Sequence, residues 1–161
     1  MRYDDHFQEL LTAYSKEANL SGLQPTEEGY CALFSDDDLA LQLQLDRNSG
    51  ILAFFIEVGK VEEPYRAKVY PYLLAANVLW IGTGGATLGV NHNGVVMLCY
   101  SEPILPMDAE RMMKIMDNLL NTAEDWEENL VAIQQDDVEA MDTANEAPFD
   151  GQEPTGFFMR V

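Results

Sequence analysis

The chain has 161 residues, 47% of them hydrophobic, which suits one domain built round one sizeable core. Its 28 acidic and 9 basic residues leave a net charge of −19, a field that repels nucleic-acid phosphates and anionic headgroups and favours a protein partner with a basic or mixed segment. The start, Met1-Arg2-Tyr3-Asp4-Asp5-His6, lacks a secretory signal pattern, and no apolar run is long enough to span a bilayer, so the expectation is a cytoplasmic protein with no membrane insertion and no nucleic acid.

In residues 4–18, Phe7, Leu10, Leu11, Tyr14 and Ala18 recur at three- and four-residue steps, which predicts an amphipathic helix ending near Ser21-Gly22. Asp4 and Asp5 sit where the positive end of its macrodipole favours them. Three runs follow, residues 29–35, 39–46 and 51–59, separated by turn chemistry, and they predict an antiparallel meander. In the second run Leu39, Leu41, Leu43 and Leu45 alternate with Ala40, Gln42, Gln44 and Asp46, so four leucines share one face. Burying each contributes about 1.5–3 kcal/mol, which opposes a one-residue slip of register. The third run is apolar on both faces apart from Glu57, and such a strand needs cover on both.

After Glu62-Glu63-Pro64 a second helix fits residues 65–80, kinked near Pro71, or else begins at Pro71. Gly82-Thr83-Gly84-Gly85 stops it, and residues 86–90 and 95–101 flank Asn91-His92-Asn93-Gly94 as a β-hairpin. Pro106 and Asp108 open a long third helix to residue 133, with Met112, Met113 and Met116 on an apolar stripe that serves either core filling or an adaptable binding surface. The domain is therefore read as residues 1–133, α+β: helix, three-stranded antiparallel meander, helix, β-hairpin, long C-terminal helix. Residues 134–161 read as a disordered acidic tail; removing its seven acids and one base leaves the rest of the chain at −13.

Cys31 and Cys99 sit within apolar runs and read as buried free thiols. Neither histidine suits a nucleophilic site, because His6 starts a helix and His92 tips a hairpin. Asp36-Asp37-Asp38 and the Asp46 turn carry oxygen ligands, but the sixth position of a calcium loop counted from Asp46 is Ile51 where glycine is required, so both read as solvated turns. The glycine run follows a helix and opens a hairpin, the reverse of a phosphate cradle, and lacks a nearby lysine. No catalytic, metal or cofactor site is expected, and the chain is read as a non-enzyme.

The segment Leu73-Leu74-Ala75-Ala76-Asn77-Val78-Leu79, then Gly82-Thr83-Gly84-Gly85-Ala86-Thr87-Leu88-Gly89 and Asn93-Gly94-Val95-Val96-Met97-Leu98, resembles the helix, glycine turn and hairpin of the CesT-like (Tir chaperone) family of type III secretion chaperones. Phe7-Gln8-Glu9-Leu10-Leu11 and the strands of residues 39–58 are similar to that family too, so the resemblance covers about residues 4–133. It implies an ATP-independent cytoplasmic chaperone of bacteria, a homodimer meeting through Tyr72, Leu73, Ala76, Leu79, Val90 and Met97. Such a dimer binds an unfolded N-terminal segment of a secreted effector protein and keeps it export-competent. Pro71 and the acidic tail have no counterpart in the family pattern.

For the effector surface, the leucine face and the doubly apolar third run suggest Phe34, Leu41, Leu43, Phe54 and Ile56, with Tyr14 from the first helix; for each, core packing is the alternative. The alternative function is a protein-binding adaptor or regulatory module of the same fold outside secretion.

Overall fold

The computed structural model describes residues 2–35 and 39–135. Helix α1 spans Arg2–Glu17 and buries Phe7, Leu10 and Leu11, the predicted stripe. It stops earlier than the glycine signal predicts. Asn19 takes a left-handed conformation (φ 52°), and the Leu20 N–H donates to the Ser15 carbonyl (2.9 Å), a Schellman-type closure. Asparagine tolerates that conformation, so the helix ends at it and Gly22 falls in the loop beyond.

Strands β1 (Tyr30–Phe34), β2 (Ala40–Asp46) and β3 (Ile51–Lys60) form the predicted meander, and β4 (Thr87–Val90) and β5 (Val95–Pro103) form the predicted hairpin. The sheet order is β1-β2-β3-β5-β4, antiparallel throughout. Leu41 pairs with Ile56 and Leu43 with Phe54, and these pair onward with Leu98 and Tyr100, so one face is a continuous apolar layer. Phe54 and Tyr100 stack at a tilt of 50°, with ring centres 6.4 Å apart.

Helices α1 and α3 (Ala109–Gln134) cover that inner face. Asp108 caps α3, its carboxylate accepting from the Arg111 N–H at 2.7 Å. Met112 and Met116 are fully buried, which settles their role as core filling. Arg111 also forks onto Glu102 of β5 (2.8 and 3.2 Å) and donates to the Tyr100 hydroxyl, tying the helix start to the sheet.

Between β3 and β4 the chain makes a single 3-10 turn at Glu63–Tyr65, then α2 (Arg66–Ala76), then a second 3-10 turn at Val78–Trp80. Pro71 lies inside α2, so the helix begins before it and continues through it. It stops at Ala76, four residues short of the predicted end, because Leu79 and Trp80 adopt left-handed φ of 54° and 56°. The glycine turn is held against α3: the Trp126 indole donates to the Gly82 carbonyl and the Asn118 amide to that of Gly84, both at 2.8 Å. A side chain at Gly82 would meet Ala76 Cβ at 2.8 Å, so only glycine allows this approach.

The two sheet edges differ. Along the β4 edge two positions are held: the Asn77 side chain donates to the Leu88 carbonyl (2.9 Å) and accepts from its N–H (2.8 Å), while Thr83 does the same for Ala86, just before β4, through its carbonyl and hydroxyl. On β1, Cys31 and Leu33 face β2, so Ala32 and Phe34 turn their backbone groups to the open side. The predicted boundary at residue 133 falls one residue before the end of α3, and the predicted tail beyond residue 135 lies outside the described residues, as does Asp36-Asp37-Asp38.

Candidate functional site

The strands alternate buried and part-exposed positions, and every buried position points to the helices. The outer face therefore carries the other set. One row crosses all five strands: Ala32, Gln42, Phe55, Cys99 and Thr87. Beside it run Tyr30, Gln44, Ala53 and Ser101, and on the other side Glu57, Met97 and Gly89. No described helix covers these positions; Phe55, Ala53 and Met97 are half-buried, and Cys99 is exposed. Away from the strand ends, Glu57 is the one charge on this face among the described residues. A chain of net charge −19 thus presents an apolar and amide-lined surface almost free of charge.

The predicted effector residues divide. Phe34, at the end of β1 beside the open edge, is 75% exposed, and Tyr14 is half-buried on α1. Leu41, Leu43, Phe54 and Ile56 are all 1% exposed or less, packed under α1 and α3. Their accessibility is corrected: the leucine face is the one the helices need, and the doubly apolar β3 leaves its other face, Ile51, Ala53 and Phe55, without a helix. The signal that finds Phe55 was therefore in the sequence, in the same run as Phe54 and one position along.

A second apolar surface lies at the end of α2 and the turn after it. Leu74 and Leu79 are 70% and 73% exposed, with Val78, Trp80 and Ile81 beside them. Of the predicted dimer residues, Leu79 is in this patch and Tyr72 and Ala76 are half-buried at its side. Leu73 instead is buried in the chain's own core, Val90 is half-buried on the inner side of β4, and Met97 lies on the outer sheet face. Leu74, Val78 and Ile81 repeat at four- and three-residue spacing, a second stripe hidden because the segment is apolar all round.

Side chains weighed for chemistry make hydrogen bonds within the fold. The His6 ring Nε2 donates to the Met107 carbonyl (2.8 Å), and Asp46 accepts from the Asn48 N–H and the Ser49 hydroxyl in its turn. No group of three metal-ligating side chains occurs among the described residues. Cys31 is buried as expected, whereas Cys99 is not, since it alternates onto the outer face; partial desolvation raises both thiols above their usual range. Burial, then the Asp117 charge, raises the Tyr14 phenol. Among the described residues no helix is long and apolar enough to cross a membrane.

Known proteins share this fold. A chain in the crystal structure of the ExsC–ExsE complex is similar at TM-score 0.69 and 22% identity, over 79% of this chain and 95% of that one. One in the HopA1–SchA chaperone–effector complex is similar at 0.68 and 20%, over 80% and 98%. One in the structure of the Yersinia pestis type III secretion chaperone SycH with a fragment of YscM2 is similar at 0.58 and 17%, over 73% and 96%. At these identities the likeness is one of fold. None of the curated proteins matches. The sequence model of the Tir chaperone protein (CesT) family matches residues 9–127, the span that holds the second half of α1, the whole sheet and most of α3. The chain belongs to the Tir chaperone protein (CesT) family.

Proposed function

We propose that the chain is an ATP-independent cytoplasmic chaperone, a homodimer that binds an unfolded N-terminal segment of a type III secretion effector and keeps it export-competent. The observation that carries this reading is the bare outer face of the sheet, apolar, nearly uncharged and continuous with the open edge of β1. An extended segment adds backbone hydrogen bonds at Ala32 and Phe34 with alternate side chains beside them, and its continuation crosses the outer face over Gln42 to Phe55. Tyr14 borders the client path, while Leu41, Leu43, Phe54 and Ile56 hold the sheet from beneath. Ordering the client costs conformational entropy, so a long wrapped contact is needed, and affinity alone sets binding and release without a nucleotide step. The patch of Leu74, Leu79 and Trp80 meets a second copy, with Tyr72 and Ala76 at its border and Leu73 behind it.

The test is capture of the tagged chain from its native cytosol, with native mass spectrometry of what co-purifies. Two copies holding one secreted protein through its N-terminal region, lost with Phe55→Asp but retained with a substitution at exposed Val131, support the reading. Capture of a folded signalling protein by both variants alike indicates an adaptor.

A further inference from the structure

Residues 77–82 close an arch at the end of α2. A helical continuation would place residues six apart roughly 9 Å from each other along the axis. Instead Gly82 folds back on Ala76, its N–H donating to the Ala76 carbonyl at 3.2 Å, and the Trp126 indole holds the Gly82 carbonyl. At the other end the Asn77 side chain is fixed by the bonds it gives to and takes from Leu88 of β4 (2.9 and 2.8 Å). Between these two anchors the backbone turns through Leu79 (φ 54°, ψ 19°) and Trp80 (φ 56°).

The left-handed region is costly for two bulky residues in succession, because Cβ crowds the following carbonyl oxygen, and glycine or asparagine is its usual occupant. Side-chain packing within the chain does not offset that cost: Val78, Leu79, Trp80 and Ile81 are each more than half exposed. Strain of this kind persists where the surroundings enforce it, and here the enforcement comes from the two anchors. We propose that Asn77 is a positioning residue which, with Gly82, locks residues 78–81 in a preset left-handed arch that presents Leu79 and Trp80 to a second copy of this chain, a role that rests on the reading of this patch as the contact between copies.

Charge selects the second copy as the occupant. Residues 69–101 contain no Asp, Glu, Lys or Arg, although 23% of the whole chain is charged. Two copies at −19 each repel, and their approach is least opposed where neither presents a charge. A partner of opposite charge finds nothing on the arch to pair with. The lock sets affinity through population. Released at Asn77, the apolar run of α2 is free to continue as helix through Leu79 and Trp80, which turns their side chains elsewhere. The apparent dissociation constant then rises by the inverse of the fraction still in the arch. A locked arch meets its partner with its backbone already ordered, so no affinity is lost to arranging it.

The experiment measures the dimer dissociation constant of the full chain by sedimentation over a dilution series, for Leu79→Gly and Leu79→Ala, each with Asn77 and with Asn77→Ala. Both changes at residue 79 remove the leucine anchor, but glycine is at ease in the left-handed region and alanine favours helix. With Asn77 in place the lock fixes the arch, and the two constants should agree within about twofold. With Asn77→Ala the glycine chain should dimerise about fivefold more tightly than the alanine chain. Asn77→Ala alone should weaken the dimer by on the order of tenfold with every side chain of the patch intact. Asn77→Asp, which keeps an acceptor for the Leu88 N–H, replaces Asn77→Ala if that variant does not fold, and it too should dimerise more weakly than the natural chain. Asn77→Ala as tight as the natural chain overturns the proposal, and so do equal glycine and alanine constants in the unlocked background; with Leu79→Ala still weakening the dimer, the patch remains the contact. A natural chain that stays monomeric, or a dimer that Leu79→Ala leaves unchanged, refutes the patch reading and the lock with it.

Discussion

Phe54 and Phe55 are neighbours on β3 with opposite environments, because alternate strand residues face opposite sides of the sheet. Phe54 is fully buried beneath the helices and stacks on Tyr100. Replacing it by alanine is expected to cost about 3–5 kcal/mol of stability. The same change at Phe55 removes only half-buried surface, about 1 kcal/mol, and should weaken client binding at least as much as stability. Urea unfolding and client titration on both variants separate the roles; a Phe55→Ala chain with unaltered client affinity would remove the outer face from the site. Glu102 supplies a pH dependence. Burial pushes its carboxyl up, but the Arg111 guanidinium and Tyr100 hydroxyl outweigh it and leave the group below its usual value of 4.5. A depressed carboxylate contributes stability that is present above its unfolded value and is lost as pH falls through the folded one. Acid unfolding should therefore be less steep for Glu102→Gln below the usual glutamate range, while at neutral pH that variant loses about 1 kcal/mol. Equal slopes in the two proteins would show that the cluster does not contribute.

At the scale of elements, α2 holds the distinction between a core position and an exposed position that the proposed dimer would cover. Leu73 is buried against the sheet and α3, and Leu74 beside it is 70% exposed. Leu73→Asp should unfold the chain, whereas Leu74→Asp should leave the thermal midpoint of the chain within a few degrees and yield monomers in sedimentation. A dimer that survives Leu74→Asp together with Leu79→Asp would place the contact elsewhere. The strands were legible because Leu41, Leu43 and Leu45 carry a period of two that any register error would expose to water. The same period marks the face that the helices bury, because that face carries the most leucine, and the other side is marked only by Phe55 and its alanines. Helix α2 was legible in existence but not in extent. Its apolar residues surround the axis, Pro71 reads as a break although the helix accommodates it, and the left-handed turn at Leu79 and Trp80 uses residues that carry no turn signal.

For the whole molecule, the charge of −19 acts mainly on encounter. On the proposed function, a client segment with a basic or mixed composition would be drawn to the molecule at long range and then meet a face almost free of charge. Its association rate should fall by about tenfold or more between low and high salt while its dissociation rate changes little, which stopped-flow mixing reads directly. A salt-independent association rate would confine recognition to the apolar contacts.

The sealed edge of β4 bears on how such a sheet avoids endless growth. Asn77 and Thr83 occupy the outward groups of Leu88 and Ala86, so a second copy that brings its open β1 edge to β4 finds those two positions already taken. Copy-on-copy stacking through β4 is thereby disfavoured, which bears on fibril growth. Asn77→Ala reopens that side at Leu88, and agitated solutions of the variant should gain thioflavin-positive aggregates sooner than the natural chain.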